Sequence, residues 1–391
     1  MARVGCHDRA ARRSGPASPA LASTRSRPVN SAEQPPDSAV SASPARASTG
    51  IPGLDEILGG GLPTNHIYLI DGEPGTGKTT LALQFLLAGA EHGARGLYVT
   101  LSESRAELTQ VAHSHGWTLD TVDVFELNPA ESGAAEEGYT IFHPAEIELQ
   151  QTMDAVLASV DRSGATLVVL DSLSEMRLLA RDPLRFRRQI LSIKQFFAGR
   201  QCTVLLLDDK TAPEGDLQLH SLAHGVIALE HVALEYGSER RRLQVTKLRG
   251  LRFRGGFHDF RICTGGLAVY PRLRVQHVDE SGDGPPVPSG SAELDELLGG
   301  GLQRGTSLLI TGPAGAGKSV LCTQYACVAV GRGEHVRFYL FDERLSTFRL
   351  RGDGLELDVR SAVEDGRLRL RQVEPTQLSP GEFAHSVMHA V

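Results

Sequence analysis

STGIPGLDEILGGGLPTNHIYLIDGEPGTGKTT, residues 48–80, returns at residues 288–320 as PSGSAELDELLGGGLQRGTSLLITGPAGAGKSV, offset by 240 positions without a gap. The likeness continues through Gln84 and Gln324, Gly93 and Gly333, and residues 98–103 against 338–343. Two copies of one unit are therefore written in tandem, and the Gly/Pro/Ser-rich stretch SGDGPPVPSG (281–290) reads as the joint between them.

Copy one alternates strand and helix as a parallel sheet requires. The pattern predicts strands over 66–72, 96–101, 165–172 and 202–209, and helices over 79–93, 104–116, 147–164 and 183–200. The strands are continuously apolar, which suits burial on both faces. Beyond residue 224 the pattern changes to GVIALEHVALE, RRLQVTKLRG and FHDFRICTGGLAVYP, read as meandering strands at the far end of the sheet. Copy two is expected to be incomplete, since the counterpart of the strand ending in Asp171 would fall near residue 411. A parallel sheet without its later central strands leaves unpaired edges, so a marginal or partly disordered second copy is expected. The reading divides the chain into a disordered tail (1–47), a first domain (48–278), a linker (279–290) and a partial second domain (291–391).

The tail is inferred from composition: RPVNSAEQPPDSAVSASPARAS offers almost no large apolar side chains to bury. The whole chain, with 391 residues, 41% hydrophobic and 22% charged, is an ordinary globular composition with no apolar run of membrane-spanning length. No membrane association and a cytoplasmic location are expected. The five cysteines form no CxxC pair or Cys/His cluster, so neither a zinc site nor a disulfide framework is indicated. A net charge of −7 argues against a protein that coats nucleic acid.

The pattern G-x-x-x-x-G-K-[ST] occurs at Gly72, Glu73, Pro74, Gly75, Thr76, Gly77, Lys78 and Thr79, with Thr80 next, and again from Gly312 through Gly315, Ala316, Gly317, Lys318 and Ser319 to Val320. Each follows a strand and opens a helix, the context in which such a loop wraps a phosphate. The glycines admit close backbone approach, amides at the helix start supply partial positive charge, and Lys78 adds a full one. Thr79 and Ser319 offer hydroxyls to a magnesium ion, and Asp171, ending the apolar run LVVLD, can hold the same ion through water. ATP with Mg2+ is the implied ligand. Glu103, just past the second strand, can orient and deprotonate an attacking water, although a solvated carboxylate at a helix start reads the same way. Lys247 and Arg249 alternate on one strand and so share a face.

Taken together, the two loops, LDxxLGGGL, YVTLSES, HGWTLD, VVLDS and KLRG resemble the KaiC family of bacterial ATPases, over about residues 48–391. The resemblance implies a RecA-like P-loop NTPase fold, with a mainly parallel central sheet flanked by helices and a tandem repeat whose second copy is incomplete. It implies a nucleotide-dependent ring, a hexamer, with ATP sites between protomers, and Lys247 and Arg249 acting in the neighbour's site. The family follows its second strand with two acidic residues. Copy one has Ser102 and Glu103 there, and copy two has Asp342 and Glu343. Glu103 is then the one candidate base of copy one, and slow hydrolysis is expected. Autokinase activity is not implied, because the family's modified Ser and Thr lie beyond the matching part of copy two. The partners in signalling or regulation stay unidentified. Two other readings share the motif set: a DNA-acting RecA/RadA-like ATPase, suggested by the basic stretch ERRRLQVTKLRGLRFRGG, and a non-catalytic nucleotide-binding scaffold.

Overall fold

In the computed structural model the described residues are 45–127, 144–210, 218–233, 235, 237–274 and 284–390. The tail up to residue 44 and the start of the joint, up to residue 283, lie outside them. The lead-in of copy one forms strand β1 (Arg46–Ala47), helix α1 (Pro52–Leu58) and strand β2 (Leu62–Pro63), with β1 and β2 antiparallel. Arg46 and Ala47, assigned to the tail on composition, are thus structured. The Arg46 guanidinium donates to the Leu58 and Gly61 carbonyls, at 3.0 and 2.9 Å, a tie that composition does not reveal.

LDEILGGGL encodes a helix and its stop. Leu54, Ile57 and Leu58 face the core, Asp55 accepts from the Thr49 amide (2.9 Å) and the Ser48 hydroxyl (2.6 Å), and Gly59 ends the helix in the left-handed region. Gly61 is required by contact, since a Cβ there would lie 2.4 Å from the Ala47 carbonyl. The same residues repeat the same device in copy two, where the Ser289 amide donates to Asp295 at 2.7 Å.

The sheet then builds up as strand β3 (Ile67–Gly72), helix α2 (Lys78–Glu91), strand β4 (Gly96–Thr100), helix α3 (Arg105–Ser114), strand β5 (Val122–Glu126), helix α4 (Pro144–Ser163) and strand β6 (Leu167–Asp171). Helices α5 (Leu173–Ala180) and α6 (Pro183–Phe197), strand β7 (Thr203–Asp208), helix α7 (Gln218–Leu222) and strands β8 (Gly225–Val232), β9 (Arg240–Leu248), β10 (His258–Cys263) and β11 (Gly266–Tyr270) complete it. The nine strands are ordered β11-β10-β9-β8-β3-β7-β6-β4-β5, parallel from β8 to β5 and antiparallel from β8 to β11. Strand β5 and helices α1, α5 and α7 are not in the sequence reading; VDVFE, an edge strand, is too short and too polar to read as a buried apolar run.

Two cores sandwich the sheet, as the continuous apolar strands require. Tyr68 and Ile70 of β3 pack with α1 and α2 on one face, while Leu69 packs with α4, α5 and α6 on the other. Helix starts are fixed locally. Ser104 and Glu107 cap α3 reciprocally, and the Asp182 carboxylate accepts from the Leu184 and Arg185 amides ahead of α6.

Copy two forms α8 (Ala292–Leu297), α9 (Lys318–Gly331), β12 (Val336–Leu340), α10 (Leu345–Gly354), α11 (Val359–Glu364), β13 (Leu368–Gln372) and α12 (Pro380–Met388). Strands β12 and β13 pair in parallel around a small core centred on Phe348, matching β4 and β5. The counterpart of β3, residues 307–311, forms no strand, and Leu308 and Leu309 are exposed at 53% and 84%. In copy one that strand is paired on both sides, by β7 and β8. Among the described residues of copy two nothing supplies either partner. Backbone amides of 307–311 should therefore exchange with solvent at least roughly 10³-fold faster than those of 68–71, read by hydrogen exchange on the 391-residue chain; comparable protection would show that the segment is paired after all.

Candidate functional site

The loop 72–79 hangs from the carboxyl end of β3 into the start of α2. Gly75 and Gly77 have φ of 79° and 102°, left-handed values that side-chain-bearing residues avoid, and they turn the chain back so that α2 begins without a side-chain cap. Its first amides are therefore free of intrahelical partners and aimed at the crevice beyond the strands, where α/β sheets bind phosphates. Thr76 pins the turn by donating to the Glu73 carbonyl at 2.7 Å. Lys78, only 7% exposed, folds its ammonium back onto the Gly72 and Glu73 carbonyls at 2.7 and 3.0 Å and pairs with Asp209 at 2.6 Å.

Three strands beside β3 deliver carboxylates to the same edge. Asp171 closes β6 and accepts a hydrogen bond from the Tyr98 hydroxyl of β4, with the Thr79 side chain bonded to it as well. Burial, reinforced by the Asp209 charge, pushes the Asp171 carboxyl above its ordinary pKa. Glu103 stands just beyond β4, in a turn braced by Thr100, whose hydroxyl donates to the Glu103 carbonyl (2.7 Å) and accepts from its amide (2.9 Å). Burial and then the charge of Asp171 raise the Glu103 pKa, and its Oε2 is buried without a hydrogen-bond partner. Ser102 beside it is exposed.

This geometry agrees with comparison to known proteins. The family model "ATPase: KaiC" matches residues 47–274 and 287–383. The chain belongs to the KaiC family. A circadian clock oscillator protein KaiC of Picosynechococcus sp. is 28% identical over 326 residues, covering 82% of this chain and 62% of that protein. The circadian clock protein KaiC2 of Synechocystis sp. is 28% identical over 348 residues, covering 87% and 60%. The chain thus spans about three fifths of the length of these curated relatives.

The residues present fit a magnesium ion, the metal that the family resemblance implies. Asp171, Glu103 and Asp209 face one ammonium, leaving the edge with surplus negative charge and one orphaned carboxylate oxygen. Among the described residues no three His, Cys, Asp or Glu side chains are grouped closely enough to enclose a metal by themselves. Magnesium characteristically takes one or two carboxylates and completes its shell with water and substrate phosphates.

Asp208 and Asp209, at the end of β7, carry no role in the sequence reading. Asp208 forms a two-pronged pair with Arg177 of α5 (3.1 and 2.9 Å), and Asp209 accepts from the Ser174 hydroxyl at 2.8 Å. The available signal is that VLLLDD matches VVLD as a parallel neighbour, so both apolar runs end in acids on the same edge.

Lys247 and Arg249 lie at the opposite end of the sheet. The Arg249 amide bonds to the His224 carbonyl and the His224 amide to the Ile67 carbonyl, so Arg249 is level with the first residue of β3, about 17 Å along the strand from Gly72. Both side chains rest on carbonyls of α7 and the turn after it: Lys247 on His220 and Ala223, Arg249 on Ser221. The structure does not bring them to the loop of their own chain. Of the other five arginines in the basic stretch, four are charge-matched: Arg240 pairs with Asp259, Arg241 with Glu239, Arg242 with Glu230 and Arg254 with Glu56.

In copy two, Gly315 and Gly317 repeat the loop's turns at φ of 80° and 85°, and Lys318 folds onto the Gly312 and Pro313 carbonyls. Ala316 and Ser319 are exposed, Lys318 and Val320 half-buried. Asp342 is exposed, and Glu343 is bound to Arg351 at 2.5 Å.

The raised Glu103 pKa has a stability consequence. A carboxyl that holds its proton more tightly folded than unfolded costs nothing below the unfolded pKa and destabilises increasingly as pH rises toward the folded value. Glu103→Gln should therefore raise the nucleotide-free melting temperature at neutral pH, with the gain shrinking as pH falls into the ordinary carboxylate range. A pH-independent difference in thermal melts would contradict this.

Proposed function

We propose that copy one binds ATP with magnesium and hydrolyses it slowly, and that nucleotide-dependent assembly into a hexameric ring couples this turnover to partner proteins in signalling or regulation. The observation that carries the reading is the convergence of the 72–79 loop, Asp171 and Glu103 on one edge of the sheet, from strands β3, β6 and β4. Lys78 offers its ammonium to phosphate oxygens, beside the amides that open α2. Thr79 and Asp171 would hold magnesium, which when bound neutralises the polyphosphate charge. Glu103 accepts the proton of the attacking water; its buried, unpartnered oxygen is placed for that, and its raised pKa brings it closer to working pH. With Ser102 in place of a second acid, a slow rate is the natural expectation.

Assembly is supported by Lys247 and Arg249, which stand too far from their own loop to serve it, so the role that the family resemblance implies for them falls in a neighbour's site. The charge-matched arginines favour this reading over a DNA-acting one. The chemistry is assigned to copy one, because the copy-two loop is exposed and has no flanking strand ending in an acid among the described residues.

Lys78→Ala should weaken ATP binding at least roughly 10- to 100-fold by calorimetry. Glu103→Gln should bind ATP within about threefold of the parent while phosphate release falls about 10²- to 10⁴-fold; normal turnover would remove Glu103 from the base role. Arg249→Ala should bind ATP but lose about 10³-fold in turnover. Mixing it with Lys78→Ala protomers should restore part of that loss, since each intact Arg249 can then complete a neighbour's intact loop. A mixture that stays inactive would argue against the shared site.

A further inference from the structure

The Lys78 ammonium has three hydrogens, and three acceptors take them: the Gly72 carbonyl, the Glu73 carbonyl and the Asp209 carboxylate. A phosphate oxygen can bind Lys78 only by displacing one of them. Copy two separates the three contacts. Lys318 makes the same pair of carbonyl bonds, both at 2.8 Å, and among the described residues no carboxylate faces it. The carbonyl contacts therefore belong to the loop's own fold, whereas the acid is particular to copy one.

We infer that Asp209 gates the nucleotide site, holding Lys78 in the nucleotide-free protein and yielding it to an incoming phosphate. Its place in the fold suits that role. Strand β7 runs between β3 and β6, so Asp209 emerges beside both the loop and Asp171. The ion pair is compact and shielded, with Lys78 7% and Asp209 25% exposed, so it competes with a ligand more strongly than a solvated pair does. The second Asp209 oxygen accepts from Ser174, whose hydroxyl is 2.6 Å from that of Ser172, the residue after Asp171. Release of Lys78 consequently alters the hold on the first turn of α5, a route by which the nucleotide state reaches a helix outside the loop. Asp209 is a positioning residue here, acting through Lys78.

The inference rests on the nucleotide-binding reading, and the test separates the two. ADP binding is measured by calorimetry with a chelator present, so that metal coordination is silent, on the parent chain and on Asp209→Asn, Asp209→Ser, Asp209→Glu and Glu103→Gln. The expected result is roughly tenfold tighter ADP binding for Asn and Ser, parental affinity for Glu, and a change of less than about threefold for Glu103→Gln. The nucleotide-free melting temperature of Asp209→Asn should fall while its rise on ADP addition grows. Unchanged or weaker binding in Asp209→Asn and Asp209→Ser, with a parent that binds ADP, overturns the gate alone. Equal tightening by Glu103→Gln also overturns it, because relief of general repulsion then explains the effect. A parent that takes up no ADP overturns the nucleotide-binding reading and the gate with it.

Discussion

Pairing of strand β3 on both sides is the constraint from which the rest of the structure follows. Flanked by β7 and β8, it buries Tyr68, Leu69 and Ile70 almost completely and carries the 72–79 loop to a fixed point on the sheet edge. Copy two shows what the same sequence does without those neighbours. Its loop keeps the glycine turns and the folded lysine, which are local, but the preceding residues form no strand and expose two leucines. Loop geometry is thus written in a few residues, whereas its placement against other chemistry needs a sheet whose partners lie more than a hundred residues away.

Once β3 is fixed, topology decides the electrostatics. The order β3-β7-β6-β4 puts Asp209, Asp171 and Glu103 along one edge, next to a single buried ammonium. Burial and mutual repulsion raise the pKa of Asp171 and Glu103, so the edge is an unfavourable place for unneutralised charge. A bound cation would relieve that tension, and the Asp209 contact with Lys78 offsets part of it. The same topology sends Lys247 and Arg249 to the other end of the sheet, away from the loop of their own chain.

The sequence by itself determined the repeat, the two glycine-rich loops, the two-sided burial of the strands and the acids Asp171 and Glu103 near the strand ends, because each depends on short-range pattern: glycine φ, alternation of strand and helix, and an apolar run ending in a carboxylate. It also supported the family resemblance, which the family-model match bears out. The edge strand β5 and the short helices α5 and α7 escaped it, since their patterns are weak over few residues. Only the tertiary structure decided that Asp209 pairs with Lys78, that Arg240, Arg241, Arg242 and Arg254 are matched by acids, and that Arg249 is remote from its own loop. Those facts depend on which strands become neighbours, and strand order is set by long-range packing that no local spacing encodes.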